Sequence, residues 1–128
     1  MPYPHLFTPI RIGALELRNR IVMGSMHTRL ECEPDGARKL GAFYAERARG
    51  GAAMIITGGV APNRDGVMEA DSDYMDPGRV AFHRVVTDAV HAAGAPILMQ
   101  VLHATRRSTS RWARRRRRHA STAARCAR

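Results

Sequence analysis

Residues 105–128 contain no Val, Ile, Leu, Met, Phe or Tyr and no acidic residue, yet they hold ten arginines. A segment of that composition has nothing with which to build a core. Residues 1–104 hold 11 Lys/Arg and 11 Asp/Glu, so the formal charge of +10 lies wholly in the last 24 residues. Two cysteines, Cys32 and Cys126, stand one on each side of that break and make no disulfide framework; a reducing cytoplasm is the expected compartment. No apolar run approaches the roughly 18 residues of a membrane span. The opening Met1-Pro-Tyr-Pro-His-Leu-Phe7 lacks the basic stretch and apolar run of a secretion signal. Lysine is nearly absent, with Lys39 against twenty arginines, and plentiful Ala and Gly suggest a GC-rich coding sequence.

What remains, residues 1–104, has the patterning of an α/β chain. Ile10-Arg-Ile12 and Leu15-Glu-Leu17 alternate around Gly13-Ala14, which predicts a hairpin. Arg20–Ser25, Ala53–Thr57 and Pro96–Leu102 are short, mostly apolar runs, as in strands covered on both faces. Between them the spacing predicts two helices. One covers about 37–49, capped by Asp35, with Leu40, Phe43, Tyr44 and Ala48 on one face and Gly50-Gly51 as its stop. The other covers about 79–93, with Phe82, Val85, Val86, Ala89, Val90 and Ala93 as its stripe and Gly94 as its stop. Gly58-Gly59 ends the second strand. The loop from Val60 to Pro77 carries five acids.

Helices alternating with apolar strands predict a parallel sheet with right-handed crossovers. A doubly wound fold and a (β/α)8 barrel both begin this way. Two features favour the barrel: Gly24-Ser-Met-His-Thr28 is not a G-x-G-x-x-G dinucleotide turn, and the N-terminal hairpin suits a barrel plug.

In either architecture the site forms at the C-terminal ends of the strands. Those ends read Gly24-Ser25-Met26-His27, Thr57-Gly58-Gly59 and Gln100-Val101-Leu102-His103. Each joins small residues, which let a ligand approach the backbone, to a side chain that donates and accepts hydrogen bonds. A flat, heteroatom-rich cofactor would suit them. Ordinary strand-end turns and a core amide at Gln100 would give the same pattern.

Five stretches, in this order, resemble the N-terminal part of the Old Yellow Enzyme family of FMN-dependent oxidoreductases. They are Leu6–Gly13, Leu17–Thr28, Phe43–Gly50, Ile56–Pro62 and Gln100–His103. Within the family they look most similar to the bacterial 2,4-dienoyl-CoA reductases. The resemblance covers residues 3–104 and implies the hairpin and first three strands of a TIM barrel, left incomplete. It implies that Ser25, Met26 and His27 contact the flavin ring from the first strand, Gly59 from the second, and Gln100 through the ring's pyrimidine edge. It implies FMN as cofactor, NAD(P)H as hydride source and an activated alkene, such as an enoyl or dienoyl thioester, as small-molecule substrate. The family's proton donor and FMN phosphate site belong to later strands, so no catalytic residue falls in this chain, and an inactive fragment with weak or absent FMN binding is expected. A three-strand piece with uncovered apolar faces is further expected to be a non-cooperative monomer or an aggregate.

After Gln100-Val-Leu-His103 the family continues with Gly-Arg, whereas this chain has Ala104-Thr-Arg-Arg. The expectation is a domain boundary at 104, followed by a disordered basic segment of frameshift origin. The rival is a polyanion-binding tail: Arg114–Arg118 is a like-charge run that contacts nucleic acid without sequence preference, although Trp112 is its one stacking residue. No metal site is expected. Counting from Asp71, a Ca²⁺ loop would need Gly and Glu where Asp76 and Phe82 stand. His83 and His91 are expected as surface or packing residues, the Asp71–Asp73 stretch as a solvated loop, and Cys32 as no nucleophile.

Overall fold

The structure, a computed structural model, describes residues 3–69 and 72–104. The basic segment with Arg114–Arg118, Trp112 and Cys126 lies outside the described residues, as does Asp71.

Strands β1 (Ile10–Ile12) and β2 (Leu15–Leu17) form the expected antiparallel hairpin, with Ile10 opposite Leu17. Its anchor is Leu17, buried with Ala53 and Met54 beneath Ile10. The chain then runs through β3 (Val22–Met23), α1 (Gly36–Arg49), β4 (Met54–Val60), α2 (Val80–Ala92) and β5 (Ile97–Val101). The order in the sheet is β3-β4-β5, with both pairs parallel. β3 is shorter than the apolar run Arg20–Ser25 suggested, because only Val22 and Met23 have ladder partners, Met54 and Ile55.

Both helices end in the same way. Gly51 (φ 112°) follows α1 and donates its N–H to Ala48 O, while Ala52 N–H reaches Arg47 O. Gly94 (φ 78°) follows α2 and donates to His91 O, while Ala95 N–H reaches Val90 O. This is the Schellman pattern, in which a residue of positive φ turns the chain and satisfies the last carbonyls. The Arg18 guanidinium adds further donors to Ala48 O and Ala52 O. Asn19, the buried polar residue of the linker, is satisfied by Gly51 O at 2.9 Å and Ile21 N at 2.9 Å.

The start of α1 differs from expectation. Asp35 occupies the cap position with φ 58°, and its side chain makes no capping bond. The constraint lies in the next residue, since a Cβ on Gly36 would stand 2.6 Å from Leu30 O. The 3-10 turn Leu30–Cys32 is therefore pressed against the helix start.

The main core joins Tyr44 and Ala48 of α1, Val86 and Val90 of α2, and Ala52, Ile55 and Ala95 at the sheet. A Cβ on Gly41 would come within 3.1 Å of Ala89 Cβ, so this glycine sets how closely the helices pack. Leu40, Phe43, Phe82 and Ala93 border the core as their spacing predicted. Val85 does not, being 43% exposed. Among the described residues no helix is long and apolar enough to cross a membrane.

Candidate functional site at the strand ends

β4 does not stop at its glycines; it runs through Gly58 and Gly59 to Val60. Ile56 pairs with Leu98, and the next partners are Gly59 and Gln100, so β4 carries one residue more than β5 between the two pairs. This is a β-bulge, a device that re-aims side chains at strand ends and leaves ladder groups without their usual partners. Two side chains take up those groups. Gly58 N–H donates to the Tyr44 hydroxyl at 2.9 Å, and Gln100 N–H donates to Thr57 Oγ1 at 3.0 Å. Thr57 in turn donates to Gly58 O at 2.8 Å. Gly58 is also forced by close approach, because a Cβ there would meet Met26 O at 2.9 Å.

The bulge sets Gly59 directly opposite Gln100. The Ser25 hydroxyl donates to Gln100 Oε1 at 2.6 Å, bridging the chain after β3 to β5 across the end of β4. Three of the five residues expected at the site, Ser25, Gly59 and Gln100, therefore meet. Met26 sits at the same end, 54% exposed. His27 is half-buried and turns toward the helices, with Nδ1 3.8 Å from Glu31 Oε1. It lines a pocket together with Glu31, Tyr44, Thr57, Asp73 and His83. Burial raises the Tyr44 phenol above its ordinary pKa; the Gly58 N–H opposes that shift and the Glu31 carboxylate adds to it.

The loops above the strands are tied down. Arg29, at φ 61°, forms an ion pair with Glu69, joining the loop after β3 to the loop after β4. The Asp73 side chain is only 9% exposed and is held by Arg79 at 3.2 Å and His83 at 3.5 Å. The acidic stretch is thus pinned to α2 at Asp73 instead of being solvated there. His83 has a specific partner as well as a packing role. Burial lowers its pKa below the ordinary value; Asp73 opposes this and Arg79 assists it. His103 packs on Gly66, where a Cβ would lie 2.8 Å from its ring. Ala104 N–H donates to Gly66 O at 2.8 Å, fastening the exit of β5 to the same loop.

A parallel sheet, helices packed on one face and polar residues gathered at the C-terminal strand ends define the opening βα units of a barrel enzyme. The chain belongs to the NADH:flavin oxidoreductase / NADH oxidase family, whose model matches residues 5–127 and so runs past the compositional break at 104. It is 41% identical to a metal reductase of Desulforamulus reducens over 79% of this chain and 15% of that protein. It is also 41% identical to an NADH oxidase of Thermoanaerobacter brockii over 84% of this chain and 17% of that one. The structure superposes on the old yellow enzyme from Trypanosoma cruzi with TM-score 0.68 and 26% identity, covering 83% of this chain and 29% of that one. The chain spans about a sixth of the length of these two sequence relatives. The fold is thus the N-terminal part of an Old Yellow Enzyme barrel, without closure.

Tyr44 is the residue that reading the sequence missed, while Thr57 reads as a strand end without its part in the bulge. Tyr44 reads there as a core residue of α1, and the bulge that calls on its hydroxyl has no signature beyond the Gly58-Gly59 pair.

Proposed function

We propose that residues 3–104 form one wall of an FMN site, with Ser25, Met26, His27, Gly59 and Gln100 on the flavin side. The observation that carries this reading is the Ser25–Gln100 hydrogen bond spanning the sheet at its C-terminal edge, with Gly59 in register below it. The donor set suits a flavin. Ser25 occupies one lone pair of Gln100 Oε1, which leaves the amide NH₂ to donate and the oxygen able to accept once more. The ring's pyrimidine edge offers matching acceptors and donors. Gly59 contributes backbone only, since the space of its missing Cβ is taken by Leu102 Cδ2 at 2.8 Å.

Bound FMN supplies the hydride chemistry of the family, from NAD(P)H to the β-carbon of an activated alkene such as an enoyl or dienoyl thioester. The residues of this chain bind and orient. Gln100 would hold the ring's polar edge and Met26 would lie on the ring side, while His27, turned toward Glu31, would back the site from the pocket behind it. The 2,4-dienoyl-CoA reductase branch rests on the resemblance of the five sequence stretches. Proton donation and phosphate binding belong to later βα units, so the 128-residue chain alone is inactive. Residues 105–128 we read, on composition, as a separate basic segment of frameshift origin. Its ten arginines would contact polyanions, FMN phosphate included, without selectivity.

Riboflavin, which carries no phosphate, separates the two sites. It should quench weakly but saturably on the full chain, whereas FMN shows an added component that salt removes. Gln100→Leu should weaken riboflavin roughly five- to tenfold, the worth of one or two neutral hydrogen bonds, and leave the salt-sensitive component intact. Equal riboflavin binding by Gln100→Leu, or none by the parent chain, would refute the strand-end site.

A further inference from the structure

We infer that the hydroxyl of Tyr44 is a positioning group for the strand-end site: it holds the β4 bulge and so keeps Gly59 in register with Gln100. The inference rests on the reading above for what the site binds, but not for the geometry itself. A bulge is stable only where the groups it displaces find other partners. Here they find two, and each is a side chain. Gly58 N–H goes to Tyr44 Oη at 2.9 Å and Gln100 N–H goes to Thr57 Oγ1 at 3.0 Å.

Packing alone does not explain the phenol. The Tyr44 ring is 1% exposed in the main core, where a phenylalanine would pack equally well. A hydroxyl in such a place needs a partner, and its partner is one of the two backbone N–H groups that the bulge releases beside the site. Without that bond, sliding β4 by one residue would restore a regular ladder, setting Gly58 in place of Gly59 opposite Gln100. Gly59 would leave the strip that Leu102 and Gln100 now occupy beside it. Gln100 would then change its aim relative to Ser25. Tyr44 thus acts from α1, without touching a ligand, on the two residues that would.

The test is Tyr44→Phe in the full chain, followed by amide hydrogen exchange and riboflavin titration. The Gly58 and Gln100 amides should exchange about five- to tenfold faster, matching the loss of a hydrogen bond of about 1 kcal/mol. The core amides of Val86 and Val90 should not change, and riboflavin affinity should fall severalfold. Thr57→Val, which keeps the volume and removes the second acceptor, should accelerate Gln100 and leave Gly58 less affected. Unchanged exchange at Gly58 in Tyr44→Phe overturns the inference. So does equal acceleration of the α2 core in both variants, because the role would then be general stability. If the parent chain binds no riboflavin, the flavin reading fails, while the exchange measurements still decide whether Tyr44 sets the register.

Discussion

Asp73, Arg79 and His83 form the ion-pair cluster that fastens the loop after β4 to α2, and His83 gives it a pH dependence. In the folded chain burial lowers the His83 pKa below its usual 6.5. The unfolded chain therefore binds the proton first as the pH falls. The contribution of His83 to stability is complete above about pH 6.5 and is lost as the pH drops through the lower folded value. Asp73, the facing carboxylate, limits the loss by favouring imidazolium; Arg79 adds to it. Acidification from pH 7 to 5 should thus loosen the start of α2. His83→Phe, which cannot titrate, should shift the midpoint of acid-induced loss of helical circular dichroism to lower pH. The same midpoint in both chains would show that the carboxylates alone govern the transition.

Among the elements, the helix stops carry a separable cost. Gly94 has φ 78°, and the nearest atom to a Cβ there is Arg18 Nη1 at 3.9 Å, so alanine meets backbone strain and little crowding. Such strain is about 1 kcal/mol, which is about a fivefold increase in opening. Gly94→Ala should speed exchange of the amides at the α2–β5 junction by that factor. Gly24→Ala, with neither positive φ nor a neighbour within 4 Å, should leave them unchanged; equal effects would mean that φ is not the constraint. These stops are also why the fold was legible in the sequence. Each helix had an apolar stripe ending at a glycine, and each strand an apolar run. Of the candidate site the sequence marked three strand ends, and the structure sets Ser25 two residues past β3 and Gly59 and Gln100 one residue before the ends of β4 and β5. The site's internal geometry was not legible. A bulge is settled by which partners the displaced N–H groups find, and Tyr44 is fourteen residues from Gly58. The inward turn of His27 depends likewise on Glu31 and the pocket behind it. Asp35 misled because a good capping residue was placed at φ 58° by the tight turn at Gly36.

At the scale of the whole molecule, the sheet among the described residues is open on both sides, β3 at one edge and β5 at the other. Val22, Leu98, Met99, Val101 and Leu102 are all more than a third exposed, and the hairpin adds Ile12. In the full barrels of the family the remaining strands would cover such a surface. At about 25 cal/mol per Å², a few hundred Å² of apolar surface is worth as much as the whole net stability of an ordinary domain, roughly 5–15 kcal/mol. Unpaired parallel edges also offer rows of free N–H and C=O groups to any strand that arrives. The helices, by contrast, have a shared core and satisfied C-terminal turns, and should persist. The 128-residue chain should therefore keep helical circular dichroism at low concentration but melt without a sharp transition. Its hydrodynamic size should grow with concentration as copies cover one another's sheet faces. Replacing Leu98 and Val101 with Thr, which keeps β-branching or strand propensity while removing apolar surface, should reduce that growth. A sharp, reversible, concentration-independent transition of a monomer would show that the uncovered sheet is no liability, and that three βα-barrel strands can stand by themselves.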